Sequence, residues 1–222
     1  MLQATTIRFL KELKKNNNKN WFDQHRKTYE AAKADFAVFV QAVIDKHGKK
    51  DPGISQLRAK DCMFRINRDI RFSKDKSPYK TNFGASINQG GKKAWNTAGY
   101  YFHLEPGGSF AGGGIYMPEP DVLKKIRQEI DYNLPAFEKI IKARKFKSVY
   151  GALNQDAAYL LSRVPKGYEP DNPAASYLRL KSLVAMTSIP DTDLGSKDLV
   201  KKTVAAFEAL QPLVAFINQG VE

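Results

Sequence analysis

Between Arg58 and Lys80, eight basic residues (Arg58, Lys60, Arg65, Arg68, Arg71, Lys74, Lys76, Lys80) stand against three acids (Asp61, Asp69, Asp75), a local excess of five positive charges. Residues of these types hold anions. The guanidinium is a planar fork of donors that matches a carboxylate or phosphate, and lysine adds a compact charge. The expected ligand-binding set is Arg65, Asn67, Arg68, Arg71, Lys74, Lys76, Tyr79, Lys80 and Tyr101, with Ser73 to Lys80 as a loop folding over it. Asp69 and His103 are the candidates for proton transfer, provided the fold brings them together. Gly112-Gly113-Gly114 would let bare backbone amides approach the same ligand. In the competing reading the cluster satisfies itself: Asp69 and Asp75 pair with Arg65, Arg68 and Arg71 in surface ion pairs of about 0–1 kcal/mol each.

Other chemistries fail on residue type or spacing. His25, His47 and His103 lack metal-ligand spacing, and a single cysteine cannot build a zinc cluster, so no metal is expected. Cys62 falls in the apolar phase of its segment and reads as a buried, inert thiol. The glycines match neither a Walker loop nor a dinucleotide fingerprint, so no cofactor is expected.

The elements that must position these residues follow from periodicity. Ile7, Leu10 and Leu13 give a first short helix, capped by Thr5 or Thr6 and stopped at Asn16-Asn17-Asn18. A long helix over residues 19–46 carries Trp21, His25, Tyr29, Ala32, Phe36, Phe39 and Val43 on one stripe, with His25 as a packed histidine. Cys62, Phe64 and Ile66 alternate with Met63, Arg65, Asn67 and Asp69, predicting a strand with one apolar and one polar face. Phe83, Ala85 and Ile87 predict a second strand, and Tyr100, Phe102 and Leu104 a third whose other face holds Tyr101 and His103. Residues 110–117 predict a fourth. Short turns between them imply an antiparallel meander. The second half reads as helical: starts near Pro120 and Pro135, a solvated connector Arg144–Lys147, a helix over 151–163, an ambiguous stretch 177–186, and a last helix capped by Ser196 and kinked at Pro212. The fold class is α+β: a central antiparallel sheet packed against N-terminal and C-terminal helices, in one domain spanning residues 1–222.

Composition narrows the partners. Of 222 residues, 42% are hydrophobic and 27% charged, ordinary for a globular chain, but the net charge is +13. That surplus favours anionic partners. No run approaches the roughly 20 apolar residues needed to span a bilayer, and the N-terminal stretch reads as an amphipathic helix rather than a secretory signal. With its lone cysteine, this predicts a soluble cytoplasmic protein with no membrane partner.

Several stretches together carry a family resemblance: FLKELKKNNNKNWFDQHRKTYE, RINRDIRFSKDKSPYKTNFG, AGYYFHLEPGGSFAGGGIYMP, IRQEI and RVPKGYEPDNP. The chain resembles a family of conserved hypothetical proteins of bacteria and fungi, known only as a domain of unknown function. The likeness covers most of the chain as one domain and implies no activity, substrate or cofactor. The family motif falls on Arg65, Arg68, Asp69, Arg71, Phe72, Lys74, Asp75, Lys76, Pro78, Tyr79 and Lys80. The sequence thus leads to an expected binder of a small phosphorylated or carboxylate ligand. A nucleic-acid binding module is the alternative, and a structural or interaction domain with a self-paired ion network a further one.

Overall fold

Apolar periodicity becomes packing first in the N-terminal helices. The computed structural model describes residues 1–221. Helices α1 (Ala4–Lys15), α2 (Lys19–Gln24) and α3 (Arg26–His47) precede a short α4 (Ala59–Cys62) and strand β1 (Phe83–Ile87). Strands β2 (Gly99–Leu104) and β3 (Phe110–Ile115) follow. Then come α5 (Pro120–Tyr132), α6 (Leu134–Ile141), α7 (Arg144–Tyr150), α8 (Ala175–Leu178), β4 (Leu183–Ser188), α9 (Asp191–Leu194) and α10 (Leu199–Val221). The strands form one antiparallel sheet in the order β1-β2-β3-β4. The fold is α+β, and the ambiguous stretch 177–186 resolves into the end of α8 and the start of β4.

The residues group into two compact units. Met1–Lys92, Tyr101–Ala111 and Ser188–Ala205 form one; Lys93–Tyr100, Gly112–Thr187 and Ala206 onward form the other. In the first, Phe36 and Phe39 of α3 meet Phe102 of β2 at ring-centroid distances of 6.3 and 4.6 Å, and Phe36 stacks on Phe83 of β1 at 5.5 Å. Phe9 of α1 joins Phe22, Tyr29 and Phe83 in the same cluster. Each fully buried side chain of this kind contributes about 1.5–3 kcal/mol of transfer free energy. Strand alternation then dictates the consequence. With Phe102 and Leu104 turned to the helices, Tyr101, His103 and Glu105 turn to the opposite face. In the second unit, Phe137 packs on Tyr177 and Phe216, and Tyr100 stacks on Phe207.

The helices depart from the periodic reading in several places. The long N-terminal helix divides at His25 (φ −105, ψ 18), whose ring stacks on Trp21 at 4.0 Å and whose Nδ1 lies 2.8 Å from the Trp21 carbonyl, which also accepts from the His25 N–H at 3.1 Å. Thr6 does not cap α1; it is buried and its hydroxyl donates to Asp35 at 2.6 Å. Arg144–Lys147 is not a connector but the start of α7, held by buried Phe146. Residues 151–163 form no α-helix, only a short 3-10 turn at Ala157–Tyr159. Gly151 sits at φ +71 and ends α7, the Asn154 side chain accepts from the Asp156 N–H in a turn, and the Asp156 side chain caps the 3-10 turn by accepting from the Ala158 N–H. At the end of the chain, α10 continues through Pro212.

The segment after Cys62 also departs from expectation. It is not a regular strand. Met63 bridges Ala85 of β1, and Asn67 bridges Tyr79, both antiparallel. The partner changes between the two bridges, so no continuous ladder forms. The expected alternation survives in part: Cys62 and Ile66 are buried, Phe64 is half-buried, and Arg65, Asn67 and Asp69 are exposed. Met63 is buried as well.

Candidate ligand cleft

Asn17 builds one wall. Its amide nitrogen donates to the Tyr79 carbonyl at 2.8 Å, and the Tyr79 N–H donates to its amide oxygen at 3.1 Å. One side chain thus pairs with Tyr79 as a further strand would. The Tyr79 ring stacks on Phe22 of α2 at 3.9 Å, which fixes the segment to the N-terminal helices. Between them opens a cleft of about 310 Å³, with Lys14, Arg68, Asp75, Lys80 and Asn82 on its lining, and Ser77 and Thr81 as hydroxyls. The lower end of the usual range for small-molecule sites is about 300 Å³, though such sites are mostly apolar and this one is polar.

Two of its three cations are matched within the chain. Lys14 lies 3.6 Å from Glu105. Arg68 donates to Asp75, to the Ser77 carbonyl at 3.0 Å and to Ser73 at 3.3 Å. Hydrogen bonds from Ser77, then the Arg68 guanidinium, pull the Asp75 carboxyl down to about 2. Lys80 is different. It is half-buried and makes no ion pair among the described residues; its ammonium lies 5.4 Å from the Phe64 ring centroid. Burial, and secondarily the charge of Arg65, pull its pKa below the ordinary lysine value of 10.5. A lysine held this way has a charge its surroundings do not compensate.

Beneath the cleft runs a hydrogen-bonded chain. Glu105 accepts from Thr81 at 3.1 Å and lies 3.2 Å from His103 Nε2. Burial pushes the Glu105 carboxyl up, but hydrogen bonds from His103 and Thr81 and the charge of Lys14 outweigh it, and the net shift is downward. An ionised carboxylate only accepts, so it calls for a proton on His103 Nε2. Nδ1 lies 3.2 Å from the Tyr101 hydroxyl, whose pKa burial raises to about 12, so the phenol keeps its proton and can donate it to that nitrogen. The Asn82 amide nitrogen also lies 3.2 Å from Nε2, a donor that makes no hydrogen bond to this nitrogen while Nε2 carries the proton. Both ring nitrogens of His103 are thereby engaged inside the chain. The ring itself stacks on Phe110 at 4.8 Å.

The depressed Glu105 pKa has a sign. A carboxyl whose folded pKa lies below its unfolded value stabilises the fold above the unfolded value, 4.5 here, and that contribution disappears as pH falls through the folded one. In denaturant titrations, the stability gap between the native chain and Glu105→Gln is expected to narrow on acidification below about pH 4.5 and to stay constant near neutrality.

Of the expected site residues, Arg68, Tyr79 and Lys80 line the cleft. Tyr101 lies under it, through His103 and Asn82. Arg65, Asn67, Arg71, Lys74 and Lys76 are exposed outside the lining. Arg71 is forked onto Asp69, with Nε and a terminal nitrogen at 3.0 and 2.7 Å, and Lys76 donates to the Ile70 carbonyl at 3.0 Å. Asp69 is therefore partnered by Arg71, and the carboxylate at His103 is Glu105. Lys14, Asn17, Thr81, Asn82 and Glu105 enter the site unannounced by the charge cluster. For Glu105 a signal existed, since Tyr101, His103 and Glu105 alternate on one face of a strand.

Gly112 to Gly114 serve the sheet. An added Cβ at Gly113 would lie 2.1 Å from the Gly99 carbonyl oxygen, and one at Gly114 2.0 Å from that of Leu183. Neighbouring strands already fill the space the glycines leave. Cys62 is buried, and burial first, then Asp61, raises its thiol to about 11, as expected for an inert cysteine. Among the described residues no cluster of three or more His, Cys, Asp or Glu side chains could hold a metal ion, and no helix is long and apolar enough to cross a membrane.

These features define an α+β protein with a polar, cation-lined cleft beside the sheet. The chain belongs to the conserved hypothetical protein family DUF2461, whose model matches residues 5–216. No curated protein and no solved structure matches it.

Proposed function

We propose that the chain is a cytoplasmic protein that binds a small phosphorylated or carboxylate ligand in the cleft between Asn17 and Lys80. The observation that carries this reading is the half-buried Lys80 ammonium, without an ion pair among the described residues, on the wall of a polar cleft. Arg68 and Lys14, already charge-matched, supply directed N–H groups, while Thr81, Ser77 and the amides of Asn17 and Asn82 suit the hydroxyl or ester oxygens of such a ligand. Arg65 strengthens the positive potential near Lys80 from outside the lining.

An anion bound at Lys80 restores its proton affinity, so binding takes up protons in the alkaline window below 10.5. Calorimetric titration with inorganic phosphate and with citrate, in two buffers of different ionisation enthalpy at about pH 9.5, reads that uptake directly. Absence of heat and of thermal stabilisation with both anions at tens of millimolar would remove the cleft as an anion site.

A further inference from the structure

The loop between Arg68 and Ser77 is braced by its own charges. The Arg68 N–H donates to the Pro78 carbonyl at 2.9 Å, and its side chain ties Asp75, Ser73 and Ser77 together. Arg71 is forked onto Asp69, Ser73 N–H donates to the Ile70 carbonyl, and Lys76 donates to the same carbonyl. At the centre of this bracing stands Phe72, 95% exposed and the most exposed large apolar side chain among the described residues. The Arg71 guanidinium lies 5.7 Å from its ring centroid. A phenyl ring held out in water by an ordered loop gains nothing for the fold. It gains on contact with another flat surface, and the ordering cost of such contact is already met by the bracing.

Charge selects the partner. From Arg65 to Lys80 six cations face two acids, and the chain as a whole carries +13. Lys74 and Arg65 are exposed and make no ion pair among the described residues. An exposed aromatic ring beside the Arg71 guanidinium, with the exposed Lys74 two residues on, matches a polymer that alternates flat bases with phosphates. In a duplex the bases are stacked inward, whereas in a single strand they are available. A lipid surface would take the same charge but rewards several apolar side chains together, and this tip offers one. We propose that Phe72 is a base-stacking platform for single-stranded nucleic acid, with Lys74 and Arg65 receiving the phosphates.

The probes are fluorescein-labelled dT and rU dodecamers and a matched duplex, titrated with the full chain at low salt and read by anisotropy. Single strands are expected to bind more tightly than the duplex, with affinity falling steeply as salt rises. Phe72→Ala, on a side chain that touches little, should leave the melting temperature unchanged and weaken single-strand binding about fivefold or more, while Phe72→Trp retains it. Lys74→Gln should flatten the salt dependence, and Phe72→Ala should not, because it removes no charge. Equal affinity of Phe72→Ala and native chain, equal binding of the duplex, or no binding to any oligonucleotide overturns the proposal. So does cosedimentation with phosphatidylserine vesicles in the absence of oligonucleotide binding, which assigns the tip to a membrane surface. Phosphate titration of Phe72→Ala reports on the cleft separately, since Phe72 is not on its lining.

Discussion

Lys80→Met is expected to make the unliganded protein more stable and to abolish its response to anions. The two effects have one cause. The ammonium is half-buried, without an ion pair among the described residues, and its pKa is pulled down by burial and by Arg65. In the charged form it opposes folding. That penalty is full below its folded pKa and is relieved as pH rises toward 10.5, where the unfolded chain also deprotonates. Methionine keeps the aliphatic length over Phe64 without the charge. A gain of about 0.5–2 kcal/mol is expected at neutral pH, in the range of other stabilising substitutions. The gain should shrink as pH approaches 10.5, which denaturant titrations across the alkaline range would read. In calorimetry the same variant should bind phosphate at least about tenfold more weakly, or about 1.4 kcal/mol. A residue serving structure alone would give the opposite stability change. If Lys80→Met is less stable than the native chain and binds phosphate equally well, the lysine is packing and the cleft reading fails.

Gly114→Ala is expected to destabilise the fold severely. Gly114 lies in β3 at φ +110, a conformation that L side chains rarely adopt, and the new Cβ would meet the Leu183 carbonyl oxygen at 2.0 Å and Val184 Cα at 3.1 Å. Backbone strain of about 1–3 kcal/mol adds to overpacking of similar size against a strand that cannot yield without losing its pairing. The sum, about 2–6 kcal/mol, reaches the lower end of the stability of many domains, about 5–15 kcal/mol. Gly195→Ala, where a Cβ meets nothing within 4 Å and φ is −87, is the control and should be near neutral. Circular dichroism and thermal melting distinguish the pair. A folded Gly114→Ala that had lost only ligand affinity would return the glycine triplet to the binding role its composition first suggests.

The charge cluster was legible as a cluster but not as a site. Its two competing readings divide its residues between them. Arg68, Arg71 and Lys76 turn inward on Asp75, Asp69 and a backbone carbonyl and so brace their own loop; Lys80 faces the cleft without an ion pair among the described residues. Composition cannot make that division, because a cation and an acid two to seven residues apart meet only if the turn between them closes. The turn here is set by pairing of Asn67 with Tyr79 and by the Asn17 amide sixty-two residues from Tyr79.

What the sequence determined by itself is what repeats along it. The α3 stripe, the alternation in β1 and β2 and the apolar faces of α5, α6 and α10 are local periodicities that burial rewards residue by residue, and they yielded the α+β class before any coordinates. The break at His25, the turns in 151–163 and the change of pairing partner after Cys62 rest on single turns and bridges that carry no period. The cleft belongs to the same group. Lys14, Asn17, Lys80, Asn82 and Glu105 lie on α1, the turn after it, the approach to β1 and the end of β2. Only packing α1 and α3 on the sheet brings them together, and only that packing leaves one ammonium half-buried without a carboxylate beside it among the described residues.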